Sequence, residues 1–326
     1  MFRRALAVFS ILALLFVAAC SDEGDQEQSP TSGTSTGAYP VTVATKFGPV
    51  TIEKPPTRVV ALGWGDAETA LALGVQPVGA SDWLDFGGEG VGPWADGLYD
   101  NPPEIIGTRE PSFEQILALE PDLILDTKSS GDQKRYDTLA EIAPTVALPA
   151  GADSYKTTLE QQVTMVSQAL GVPEKGTELV EQLNGRFTEV AGQNPEFRGK
   201  TVTVAARSGT GWGAYSPDTE RVEFLVKLGF SPNPAIDPAD AKGFSVPIAD
   251  ENLRLLDADM VVVFPIQRTA AEVEGDPLFK SVPAVAAGRY LVFDDLTISR
   301  AYSTNSVLSI QYALDTVVPL IAERVQ

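Results

Sequence analysis

The chain has 326 residues, with 24 Lys and Arg against 44 Asp and Glu, no histidine and a single cysteine. That charge balance argues against nucleic acid as a partner, because phosphate contacts need clustered positive charge. Without histidine, Ser-His-Asp and Cys-His catalysis are excluded and the commonest transition-metal ligand is missing, so any metal is expected to arrive already chelated rather than bound directly by side chains.

The chain opens with Met1-Phe2-Arg3-Arg4, follows with an apolar run from Ala5 to Ala19 broken only by Ser10, and reaches Cys20. A basic front before a short apolar stretch is the layout of a secretory signal, and the run is shorter than the ~20 apolar residues of a membrane span. Val17-Ala18-Ala19-Cys20 resembles the bacterial lipobox. That likeness implies a signal peptide at residues 1–19, a lipid on Cys20, and attachment to the outer side of the cell membrane. Residues 20–38 hold no large apolar side chain before Tyr39, and read as a polar tether that cannot bury enough surface to order itself. Loss of Arg3 and Arg4 with the signal leaves 22 basic against 44 acidic residues, a mature charge of −22. About 290 residues remain, more than one core usually fills and suited to two lobes.

Apolar, β-branched runs bounded by turn residues predict strands at 58–63, 77–80, 122–126 and 145–148, with helical periodicity at 66–73 and 113–119 between them. Ser112 and Gln115 fit a capping box at the start of the second helix. Two helical segments without a strand follow, 154–170 closed by Gly171, and 173–193 with Pro173 in its first turn. The plan then repeats, with strands at 201–206, 259–264 and 289–293 and a helix at 219–228. A shift of 137 residues lays Glu114, Ile116, Leu119 and Asp122 on Glu251, Leu253, Leu256 and Asp259, so one helix-turn-strand unit is used twice. The expected fold is α/β and bilobal. Two Rossmann-like lobes with parallel-rich sheets, 39–172 and 194–326, are joined by one long linking helix at 173–193.

Two stretches carry a family likeness: Arg58-Val59-Val60-Ala61-Leu62-Gly63-Trp64-Gly65-Asp66-Ala67-Glu68 and Pro111-Ser112-Phe113-Glu114-Gln115-Ile116-Leu117-Ala118-Leu119-Glu120-Pro121-Asp122. With the lipobox, the tether and the two lobes, they resemble the siderophore, haem and cobalamin class of ABC substrate-binding proteins. The resemblance implies a monomeric binding lipoprotein, not an enzyme, that captures a ferric siderophore between its lobes and delivers it to an ABC permease. It requires no cofactor. It also implies an exposed acidic residue on each lobe that docks onto the permease: Glu68 on the first, and Glu223 or Glu220 on the second.

Ligands of parallel α/β sheets sit beyond the carboxyl ends of the strands. Trp64, Trp83, Arg207, Arg300 and Tyr302 follow strands, and Trp94, Trp212 and Tyr215 fall in Gly- or Pro-rich stretches. Aromatics so placed can stack on a bulky chelate, and arginines offer planar, permanently charged donors to its oxygens. Arg109, in Gly107-Thr108-Arg109-Glu110-Pro111, is a third candidate arginine. Cobalamin or haem is the alternative cargo, haem using Tyr215 or Tyr302 as its iron ligand in place of histidine. A remote alternative is an exported hydrolase built on Asp82 with Asp85 or Glu89.

Overall fold

Hydrophobic alternation explains the first element. In β1 (Val41–Thr45) and β2 (Gly48–Ile52) every second residue is buried, and the two strands pair antiparallel around a tight turn in which Gly48 takes φ +112°. The inward residues Val43 and Ile52 pack on Met165, Val166 and Ala169. This hairpin is absent from the sequence-based expectation. The computed structural model describes residues 39–108 and 110–325. The signal, Cys20 and the tether expected at 1–38, and Arg109, lie outside the described residues.

The first lobe is built on β3 (Val59–Ala61), α1 (Asp66–Ala72), β4 (Gly79–Ser81), β5 (Glu104–Ile106), α2 (Phe113–Ala118), β6 (Leu123–Leu125), α3 (Gln133–Ile142), β7 (Thr145–Val146) and α4 (Leu159–Ala169). Its five strands run in the order β5-β4-β3-β6-β7, all parallel. β3 and β6 are buried at every position, as strands covered on both faces must be. Val59, Leu123 and Leu125 point to the α4 side, whereas Val60 and Ile124 point to the α2–α3 side with Ile116 and Leu139. At the start of α2 only half of the capping box forms. Ser112 accepts the Gln115 amide at 3.3 Å, while the Gln115 side chain turns away to Glu104.

The chain crosses to the second lobe through α5 (Pro173–Gln193), whose 21 residues span about 30 Å. Its first turn lies close to α4: a Cβ on Gly176 would meet Ser167 Oγ at 2.2 Å, so only glycine allows the approach.

The second lobe contains β8 (Thr201–Ser208), β9 (Gly211–Tyr215), α6 (Glu220–Lys227), β10 (Ser231–Pro232), β11 (Ser245–Ile248), β12 (Met260–Pro265), α7 (Ala270–Gly275), α8 (Pro277–Lys280), α9 (Pro283–Ala286), β13 (Tyr290–Val292), α10 (Leu296–Thr304) and α11 (Val307–Ala322). Here the sheet order is β11-β9-β8-β12-β13, with β10 beside β8. β8, β12 and β13 are parallel, but β9 runs antiparallel to both of its neighbours, β8 and β11. The reason is Gly209-Thr210, a two-residue connection too short for a crossover, which turns the chain straight back along β8. The Gly-rich stretch that holds Trp212 is therefore a hairpin turn followed by a strand.

The repeated unit is present in altered form. Residues 113–118 are α-helical, whereas Asp250–Leu256 form a 3₁₀ helix. Both copies end in an aspartate with the same local duty. Asp122 accepts the Thr57 and Arg58 amides at 2.8–3.0 Å, and Asp259 accepts the Thr201 amide at 2.8 Å, so each pins the chain entering the neighbouring strand. α11 packs against α5 and also against α1 of the first lobe, so the lobes are tied by packing as well as by the linking helix.

Candidate functional site

A cleft of about 710 Å³ opens between the lobes at the carboxyl ends of the strands, lined by Trp64, Asp82, Trp83, Tyr215, Arg221 and Arg300 among others. Its first-lobe wall is aromatic. Trp64 stacks on Trp83 with centroids 4.1 Å apart and planes at 8°, and on Tyr155 at 4.2 Å and 27°. Such offset pairs contribute about 0.5–1.5 kcal/mol beyond burial. Short strands set the stack up: β3 ends three residues before Trp64, and β4 two before Trp83. The Trp64 backbone is then fixed, its amide donating to the Lys128 carbonyl at 2.9 Å and its carbonyl accepting Gln162 Nε2 at 2.9 Å. Trp64 Nε1 is buried and has no hydrogen-bond partner among the described residues.

The second-lobe wall carries the charge. Arg221, in the first turn of α6, lies 4.8 Å from the Tyr215 ring and 5.5 Å from the Phe264 ring, and its buried Nε has no acceptor. Arg300, on α10, lies 5.5 Å from the Phe86 ring and also borders a neighbouring recess. At the narrow end of the cleft two first-lobe lysines reach second-lobe carboxylates: Lys128 forms a close ion pair with Glu220, and Lys156 meets Asp218 at 2.8 Å. Burial and the nearby Arg221 charge push the Lys128 ammonium below its ordinary range, and the charges of Asp66 and Glu223 work the other way by favouring the charged form.

Trp64, Trp83, Tyr215 and Arg300 are thus brought together. Four other expected residues are not. Trp94 sits in a short 3₁₀ turn, donates Nε1 to Glu68 at 2.8 Å and lies against Tyr312 of α11. Trp212 is a strand residue, buried and stacked on Phe279 at 5.1 Å. Arg207 lies over Trp212 at 5.5 Å, on the sheet face turned away from the cleft. Tyr302 is buried in the second-lobe core with its hydroxyl donating to the Arg221 carbonyl, which removes it as an exposed iron ligand. Antiparallel routing of β9 accounts for Arg207 and Trp212, and the helical placement of Tyr302 on α10 for the fourth.

Glu68 is a larger correction. It was expected to be exposed, but it is 3% exposed and buried at the seam between the lobes. Its carboxylate accepts Ser306 Oγ at the start of α11, Trp94 Nε1, and the Gly92 amide at 3.5 Å. Burial pushes its carboxyl up to about 7, against the pull of those hydrogen bonds. The physical reason is α1 itself: Ala67, Thr69, Ala70 and Leu71 are small or apolar around the whole circumference, so the helix is enclosed on all sides. Glu223 remains at the surface, 3.4 Å from Lys227.

Asp82 accepts the amides of Phe86 at 2.9 Å and Gly87 at 2.8 Å, so its carboxylate braces its own loop. Among the described residues, no three His, Cys, Asp or Glu side chains are grouped to hold a metal ion, and no helix is long and apolar enough to cross a membrane. Arg221, Tyr155 and Lys128 escaped the sequence reading. Arg221 did leave a signal there, because a cation in the first turn of a helix opposes the helix dipole.

Comparison with known proteins adds the lineage. The periplasmic binding protein family matches residues 59–295. The probable siderophore-binding lipoprotein YfiY of Bacillus subtilis (strain 168) is 27% identical over 94% of both chains. A periplasmic solute binding protein from Mycobacterium smegmatis str. MC2 155 superposes with a TM-score of 0.76 at 29% identity, covering 88% of this chain and 99% of that one. PiaA of Streptococcus pneumoniae TIGR4, in complex with ferrichrome, gives a TM-score of 0.75 at 25% identity, covering 87% and 98%.

Proposed function

The chain belongs to the periplasmic binding protein family, and on that footing we propose that it captures a ferric siderophore between its lobes and hands it to the permease of an ABC importer. The observation that carries this reading is the pairing of a three-ring aromatic wall on one lobe with two arginines on the other, across a cleft of about 710 Å³. A chelate of Fe(III) presents flat or apolar arms and a crowded oxygen surface, and those two walls suit the two halves of such a molecule. The volume lies within the roughly 300–1,000 Å³ of small-molecule sites. The names of the relatives support the same cargo. Trp64, Trp83, Tyr215 and Arg300, with Tyr155 and Arg221, are the residues assigned to the chelate. The lipid proposed on Cys20 tethers the protein outside the membrane, and Glu223 is the second-lobe carboxylate assigned to the permease.

The test is titration of tryptophan fluorescence of the detergent-solubilised full chain with ferric chelates, haem and cobalamin, corrected for absorption by the coloured ligands. Saturable one-to-one quenching by a ferric chelate is expected, with affinity falling about tenfold or more in Trp64→Ala, equivalent to ~1.4 kcal/mol. Response to haem or cobalamin alone, or to none of them, contradicts the proposal.

A further inference from the structure

Among the charged side chains of the cleft, Arg221 is the anomaly. The two lysines nearby are paired, Lys128 with Glu220 and Lys156 with Asp218. Asp82 is committed to two backbone amides of its own loop. Among the described residues, by contrast, no carboxylate lies within ion-pair distance of Arg221 or Arg300; Arg221 lies over two aromatic rings and Arg300 over one instead. Arg221 breaks two rules of stability at once. It places a cation in the first turn of α6, against the helix dipole, and it buries an Nε donor without an acceptor. Glu220, its neighbour in sequence, is drawn to Lys128 and is no substitute. Local rules broken without compensation inside the protein are the mark of a group whose partner is a ligand.

We propose that the cargo is an anionic ferric chelate rather than a neutral one, and that Arg221 is the residue that reads its charge, with Arg300 as a second, outer contact. This deepens the reading of the chain as a chelate-binding protein and rests on it. Aromatic faces hold the Arg221 guanidinium in place without neutralising it, so its charge stays available to an incoming carboxylate or catecholate oxygen. A neutral trishydroxamate complex fills the same space and stacks on the same wall, but leaves that charge unmatched.

The experiment compares three probes on the full chain in detergent at low and high salt: ferrichrome, which is neutral, and ferric citrate and ferric enterobactin, which are anionic. At least one anionic probe is expected to bind about tenfold or more tightly than ferrichrome, and to weaken as salt is raised. Arg221→Gln is expected to weaken the preferred anionic probe about tenfold more than it weakens ferrichrome, so that the preference is abolished, and Arg221→Lys to restore part of it. Circular dichroism confirms that each variant is folded, and Arg300→Gln supplies the independent second variant. Ferrichrome binding as tightly as both anionic probes, or a loss in Arg221→Gln shared equally by all three, overturns the inference and leaves chelate binding standing. Failure of all three to bind overturns both.

Discussion

The two lobes bring their first strands to the same cleft by different routes. In the first lobe β3 stops at Ala61, and the chain turns over the end of the sheet, carrying Trp64 into the opening. In the second, β8 runs on to Ser208 and doubles back as β9, which carries Arg207 and Trp212 onto the outer sheet face above Phe279. Residues that look equivalent in sequence, each an aromatic or cation just past a first strand, therefore serve opposite purposes. The rule that ligands gather at strand carboxyl ends holds where a crossover follows the strand, and a hairpin suspends it. The second lobe lines the cleft from elsewhere, through Arg221 at the start of α6 and Arg300 on α10.

Two variants sharpen that contrast. The largest effect is expected from Trp212→Ala, which empties a buried site against Phe279 and should cost about 3–5 kcal/mol in urea unfolding. Ligand affinity per folded molecule should barely change. Trp64→Ala should do the reverse, weakening binding with a smaller loss of stability, and matching profiles for the two variants would erase the distinction between the routes.

Next comes the seam. Burial raises the Glu68 carboxyl from 4.5 to about 7 in the folded chain. Below pH 4.5 both states are protonated and its stabilising contribution is complete; as pH rises through 7 the unfolded chain ionises first and that contribution is lost. Wild type should lose roughly 2–4 kcal/mol relative to Glu68→Gln across this window. Asp66, raised in the same direction to about 6, is common to both proteins and cancels. Parallel stability curves for the two proteins between pH 4.5 and 8 would contradict the buried placement of Glu68.

The smallest effect belongs to the Lys156–Asp218 pair, where Asp218 is half exposed; Asp218→Asn should cost no more than about 1 kcal/mol, and less at high salt.

Much of the fold is legible in the sequence because its strands are buried runs and its helices are punctuated. Pro173 at the first position of α5 marks that helix to the residue, and the apolar triplets at 59–61 and 123–125 mark the centre of the first sheet. The β9–β11 arm is less legible, since Gly-Trp-Gly-Ala-Tyr has the composition of a loop and becomes a strand only through its pairing with β8 and β11. For the site, aromatic residues after β3 and β4 stand out in a sequence. Arg221 leaves only the weak signal of a cation in a first helical turn, and its isolation from carboxylates is a fact of three dimensions. Glu68 misleads for the opposite reason: a carboxylate in a first helical turn looks like surface chemistry until α11 closes over it.

The most direct test is iron-edge anomalous diffraction from crystals of the full chain grown with the tightest-binding of the three chelates. One iron peak is expected in the inter-lobe cleft, between the Trp64 stack and Arg221. A peak on the outer face beside Arg207 and Trp212, or elsewhere on the surface with the cleft empty, would contradict it.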